Sequence, residues 1–159
     1  MVTSIPAFHV SDLSKVEGSG DVFIDSRKDA VSSGVFGVRL AVHFDPVVDD
    51  YPVGTLQIKV DLSDSAKGIF KATSIELINS YGKHNPTVYL TGRCLPEAST
   101  GTVQPKGCRF WLMIANNKSG TTAQGTPDIV GFAIHDRSGN RIAYCTGPLK
   151  SGDFIVAAK

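Results

Sequence analysis

Along residues 34–44 the chain reads GVFGVRLAVHF, with Phe36, Val38, Leu40, Val42 and Phe44 alternating against Gly37, Arg39, Ala41 and His43. A period of two held this long predicts a strand with one apolar face. TLQIKVDL repeats the pattern, with Leu56, Ile58, Val60 and Leu62 set against Thr55, Gln57, Lys59 and Asp61. In KGIFKATSIELIN the apolar phase slips between Phe70 and Ile75. A bulge near Thr73–Ser74 accounts for the slip and is preferred to a helical turn over SIELIN. PTVYLTGRC, CRFWLMIAN, DIVGFAIHD, NRIAYCT and GDFIVAA follow as further strands, and GDVFID precedes them all.

The segments between these runs carry turn chemistry. DPVVDDYPVG, SDSAKG, SYGKHNP and the long LPEASTGTVQPKG separate the earlier strands. The Asp136–Asn140 and Gly147–Gly152 segments read as short hairpin connections. The expected fold is therefore all-β: an antiparallel β-barrel of about eight to nine strands, with a β-sandwich as the alternative. Residues 1–19 show little periodicity and are expected to form an N-terminal arm, leaving 20–159 as a single domain.

A length of 159 residues suits one domain with its own core. Sixteen Lys and Arg against fifteen Asp and Glu give a formal charge of +1, which offers no electrostatic case for nucleic acid or an anionic membrane. Apolar runs are only a few residues long, so membrane insertion is not expected. The first residues, MVTSIPAFHVSDLSK, do not read as an intact signal peptide, which leaves both cytoplasmic and secreted settings open. Cys94 and Cys108 flank the long hairpin loop; two reduced, partly buried thiols are the preferred reading and a disulfide between them is the alternative, while Cys145 has no evident partner.

The order Phe36-Gly37, Gly54-Thr55-Leu56, Ser74-Ile75 and Thr91-Gly92-Arg93 continues with Asn116-Asn117, Thr126-Pro127-Asp128, Gly147-Pro148 and Gly152-Asp153. Over about residues 18–157 this resembles a bacterial all-β domain family of unknown function, often found in secreted or surface proteins. The resemblance implies an all-β fold and an extracellular setting, and it carries over no catalytic residue. The loop ANNKSGTTAQGTPD departs from the family pattern in being longer and less acidic.

Site chemistry is sparse. No phosphate-binding loop, dinucleotide fingerprint or nucleophile elbow occurs. CRFWLMIAN is apolar on both phases, with Phe110, Leu112 and Ile114 on one and Trp111 and Met113 beside Arg109 on the other. A strand of that kind is expected to be covered on both faces. Were the barrel hollow, Arg109, Trp111 and Met113 would line its pocket with Arg39, His43 and Tyr144, and His135 would join the ligand-binding set. Catalytic candidates are His43, Arg39 and Arg109, which could polarise a carbonyl or shuttle a proton. Calcium is the weaker alternative, through Asp45, Asp49 and Asp50, or through Asn116, Asn117 and Asp128. The expected function is a non-catalytic binding or assembly module of a secreted or surface protein. The alternative is a small barrel isomerase or cyclase acting on a hydrophobic small molecule. Assembly as a homo-oligomer is open on either reading.

Overall fold

The computed structural model describes residues 14–25, 33–81, 86–97, 106–116 and 127–158. Eight strands follow one another: β1 (Ser14–Ile24), β2 (Gly34–Phe44), β3 (Val53–Leu62), β4 (Gly68–Tyr81), β5 (Thr87–Pro96), β6 (Cys108–Ala115), β7 (Ile129–Asp136) and β8 (Arg141–Ala158). Each pairs antiparallel with the next, and β8 returns to β1, so the sheet closes into a barrel in simple chain order. Closure covers the strand edges of the described residues except where β3 and β4 part beyond Gln57↔Lys71.

Two sequence expectations are corrected by the strand bounds. β1 begins at Ser14, so residues 14–19, assigned above to the arm, are paired along β2 from Ser14↔Phe44 to Ile24↔Gly34. Gly18 and Gly20 interrupt the apolar alternation between Val16 and Val22, which is why the strand was hard to read. Likewise Gly147–Gly152 does not reverse the chain. β8 is one strand, pairing with β7 through Pro148 and with β1 from Leu149 onward. Tilted barrel strands meet their two neighbours at different heights, and a long strand can serve both in turn. The register with β1 shifts beside Asp21/Val22, and Gly152 takes φ 94°, so this turn-like sequence bends the strand instead of ending it. The phase slip in β4 is a strand irregularity, with register shifts at Ala72/Ser74 and Ile75/Leu77.

The inner phase of every strand is apolar and buried, from Phe36, Val38 and Leu40 to Leu112, Phe132 and Phe154. Phe36 on β2 and Phe132 on β7 meet with ring centroids 4.7 Å apart, filling the centre with side chains. Gly92 makes room on the inner side of β5. A Cβ there would lie 2.1 Å from the Ser74 carbonyl oxygen and 2.9 Å from the Phe110 ring. The turn between β3 and β4 folds over one end of the barrel, where the Ala66 N–H donates to the Ile142 carbonyl at 2.9 Å. At the opposite end the Ser80 hydroxyl donates to Ser14 Oγ at 3.3 Å.

Candidate functional site

The residues proposed to line a pocket all point outward. Arg39 and His43 project from β2 on one side of the barrel, both exposed. Arg109, Trp111 and Met113 project from β6, His135 from β7 and Tyr144 from β8. The internal lining expected of them is not formed, because the phase opposite each of them supplies the packed core. The sequence separated the two phases of these strands correctly but did not say which phase faces inward.

What the fold does bring together is an outer wall over β4 to β8. Trp111 pairs with Ala133, which pairs with Tyr144; Met113 lies across from Tyr89 and Gly131. Tyr81, Tyr89 and Trp111 form a row, with centroids 5.7 Å apart and then 6.0 Å apart. Leu77 and Ile129, both more than a third exposed, extend the apolar surface. The small residues Ala115, Gly131 and Ala133 keep its middle low. Because Trp111 and Tyr144 are separated by two strand spacings, they stand about 10 Å apart on either side of Ala133.

One end of this wall is cationic. Arg93, Arg109, His135 and Arg141 occupy neighbouring register positions. Glu76 on β4 holds two of them, accepting from Arg109 Nη1 at 2.7 Å and lying 3.4 Å from Arg93 Nε. The Arg141 guanidinium sits 3.8 Å from the Tyr144 ring centroid, joining the charged end to the aromatic one. On β5 to β7 the outward charges are confined to this row. The outer wall of β1 to β3 is more charged, carrying Lys15, Glu17, Asp21, Arg39, His43, Lys59 and Asp61 beside the exposed Phe23, Val35 and Val53.

The expectation that β6 is covered on both faces is met on the inside only. Phe110, Leu112 and Ile114 are buried, whereas Trp111 remains 37% exposed and no second layer of described residues lies over it. Tyr81, Tyr89, Arg93, Arg141 and Glu76 were missed by sequence reasoning. The alternation of Tyr89, Thr91 and Arg93 against Val88 and Leu90 was a usable signal for β5, but Glu76 sits inside the second irregularity of β4 and Tyr81 lies beyond it.

Cys94 and Cys108 occupy paired positions on β5 and β6 and are joined by a disulfide, with Cα atoms 5.0 Å apart. Cys145 is a free thiol whose pKa is raised by burial. In the β7–β8 turn, Asp136 Oδ1 accepts the N–H groups of Ser138 and Asn140, both at 2.9 Å, and Oδ2 accepts the Asn140 amide at 3.2 Å. These bonds, the Asn140 backbone N–H foremost, hold its carboxyl below the ordinary value.

Of the calcium candidates, Asp45 and Asp49 bond within their own loop. Asp49 Oδ2 accepts the Asp45 N–H at 2.9 Å, and Asp45 Oδ1 accepts the Val47 N–H at 3.0 Å, so these carboxylates shape their own loop. His43 Nε2 lies 4.0 Å from Asp49, and Asp50 is exposed. Asn116 and Asp128 are buried, while Asn117 lies outside the described residues. Among the described residues no three His, Cys, Asp or Glu side chains converge to hold a metal ion. Comparison of the chain with protein-family models, with characterised proteins and with solved structures finds no match.

Proposed function

We propose that the protein is a non-catalytic binding module that engages a protein partner through the outer wall of β4 to β8. The observation that carries this reading is the asymmetry of the barrel's exterior. One half mixes charges with the exposed Phe23, Val35 and Val53, and the other bears the aromatic row Tyr81, Tyr89 and Trp111, with Met113, Tyr144 and arginines along one margin. Tyr, Trp, Met and Arg are the residues enriched at protein interfaces, where rigid aromatic side chains bury much area at little entropic cost. A contiguous apolar patch bordered by charge is the surface that a soluble domain keeps for association.

The disulfide supports a secreted or surface setting, since such bonds persist in oxidising compartments. The internal-pocket isomerase finds no support. Its candidate residues Arg39, His43 and Arg109 lie outside the barrel on two different sides, and side chains fill the centre.

Photo-crosslinking in the producing cells tests the proposal. A benzophenone side chain at position 111 is expected to capture one protein species, and the same group at position 39 on the polar wall is expected to capture none. Trp111→Arg, with the fold intact by circular dichroism, is expected to abolish binding of the identified partner. Equal capture from both walls, or none from position 111, would overturn the reading. Capture of a second copy would assign the wall to self-assembly.

A further inference from the structure

At the barrel end closed by the β3–β4 turn, two open clefts of about 420 and 630 Å³ adjoin and share Gly107, Cys108, Asp136 and Arg137. Each falls within the size range of small-molecule sites. The larger has an apolar floor made by Phe70, Pro96, Ile142 and Ala66. Phe70 and Pro96 are buried, and Ala66 and Ile142, which pack against the core, are half-buried and form the accessible part of this floor.

The rim has the opposite character. Lys106 and Arg137 border the larger cleft, and Arg93 and Arg109 border the smaller one. The carboxylates near these four cations are committed elsewhere: Glu76 is shared by Arg93 and Arg109, Asp136 is turned into its own β-turn, and Glu97, next to Pro96, pairs with Lys71. Among the described residues Lys106 and Arg137 form no ion pair. Positive charge beside a low-dielectric floor attracts an anion more strongly than the same charge surrounded by water. A bare inorganic anion would leave the floor wet, and an uncharged apolar molecule would leave the cations unanswered.

We infer that this cleft binds a small amphiphilic anion, its apolar body on Ala66 and Ile142, which cover Phe70, and its acidic group between Lys106 and Arg137. The site is separate from the aromatic wall and does not depend on that wall's having a protein partner. One ligand per chain is the expected stoichiometry.

The test uses the purified chain and a matched pair of probes, 1-anilinonaphthalene-8-sulfonate and its uncharged analogue N-phenyl-1-naphthylamine. Fluorescence titration is expected to show one sulfonate bound per chain, with the neutral probe weaker by about tenfold or more. Amide shifts in a ¹⁵N spectrum are expected at Gly107, Cys108, Arg137 and Ile142. Arg137→Glu and Lys106→Glu, both at exposed positions, should each weaken the sulfonate by about tenfold, and Trp111→Arg should leave it unchanged. Equal binding of the two probes, insensitivity to both charge reversals, or shifts centred on Trp111 would overturn the inference. So would displacement of the sulfonate by a short glutamate peptide at lower concentration than by decanoate, since that would assign the cleft to a protein segment.

Discussion

Phe110 and Trp111 are chain neighbours with opposite surroundings: Phe110 is 3% exposed inside the barrel, and Trp111 is 37% exposed on its wall. Phe110→Ala leaves a cavity in the packed interior and should cost about 3–5 kcal/mol. Trp111→Ser removes an aromatic group from a surface that water already reaches, and should cost no more than about 1 kcal/mol. Urea unfolding of the two variants measures the contrast directly. A large loss for Trp111→Ser would make the wall part of the stabilising core and would remove the reason to regard it as a binding face. Asp136 offers a second test, by pH. Its folded pKa lies below the ordinary 3.8, so its contribution is full above that value and is lost as pH falls through the lowered one. The wild type should exceed Asp136→Asn in stability at about pH 6, and the gap should close toward about pH 2. A gap independent of pH would mean that the turn does not depend on the ionised carboxylate.

At the scale of elements, β5 and β6 form the hairpin that carries both the disulfide and the centre of the aromatic wall. The bond closes a loop with a sequence separation of 14, for which chain entropy predicts a stabilisation of about 3 kcal/mol. The double variant Cys94→Ala/Cys108→Ala should lose about that amount in urea unfolding, while its Trp111 fluorescence in the folded state stays close to that of the wild type. Collapse of the native fluorescence would show that the bond also sets the wall's geometry. Strands of this kind were legible in the chain because an alternating pattern such as that of β2 or β3 needs only local residues to be recognised. The continuity of β8 was not, since Gly147-Pro148 and Gly152 carry turn chemistry, and only the offset of β7 and β1 makes the chain run straight on. The site was half legible. Arg109, Trp111, Met113, His135 and Tyr144 were singled out by phase, but inside and outside are decided by neighbouring strands, and the apolar phases of β2, β3 and β5 leave β6 only one way to face. Arg39 and His43 were grouped with them because a single strand's pattern carries no information about its angle around a closed barrel.

For the molecule as a whole, the order of the strands sets the order in which contacts can form. Seven of the eight strand pairs join consecutive strands, and the remaining pair, β1 with β8, joins the two ends of the sheet from Ser14↔Ala158 to Val22↔Leu149. Closing a loop of nearly the whole chain carries a larger entropic cost than closing a hairpin, so this seam should form late. Phe154 on β8 is 1% exposed, and Leu112 on β6 is fully buried. Phe154→Ala and Leu112→Ala should each cost about 2–5 kcal/mol at equilibrium. Their kinetic signatures should differ. Phe154→Ala is expected to act mainly by speeding unfolding, with a φ-value near zero. Leu112→Ala, within a run of local hairpins, should slow folding and show a φ-value of about 0.5 or more. Stopped-flow chevrons read both values. A high φ at Phe154 would mean that the barrel closes before its hairpins consolidate, and the aromatic wall on β4 to β8 would then be assembled only once the seam is sealed. A low φ there has the opposite consequence. β4 to β8 would hold together as a folded unit while β1 is still detached, and the wall would be complete before closure.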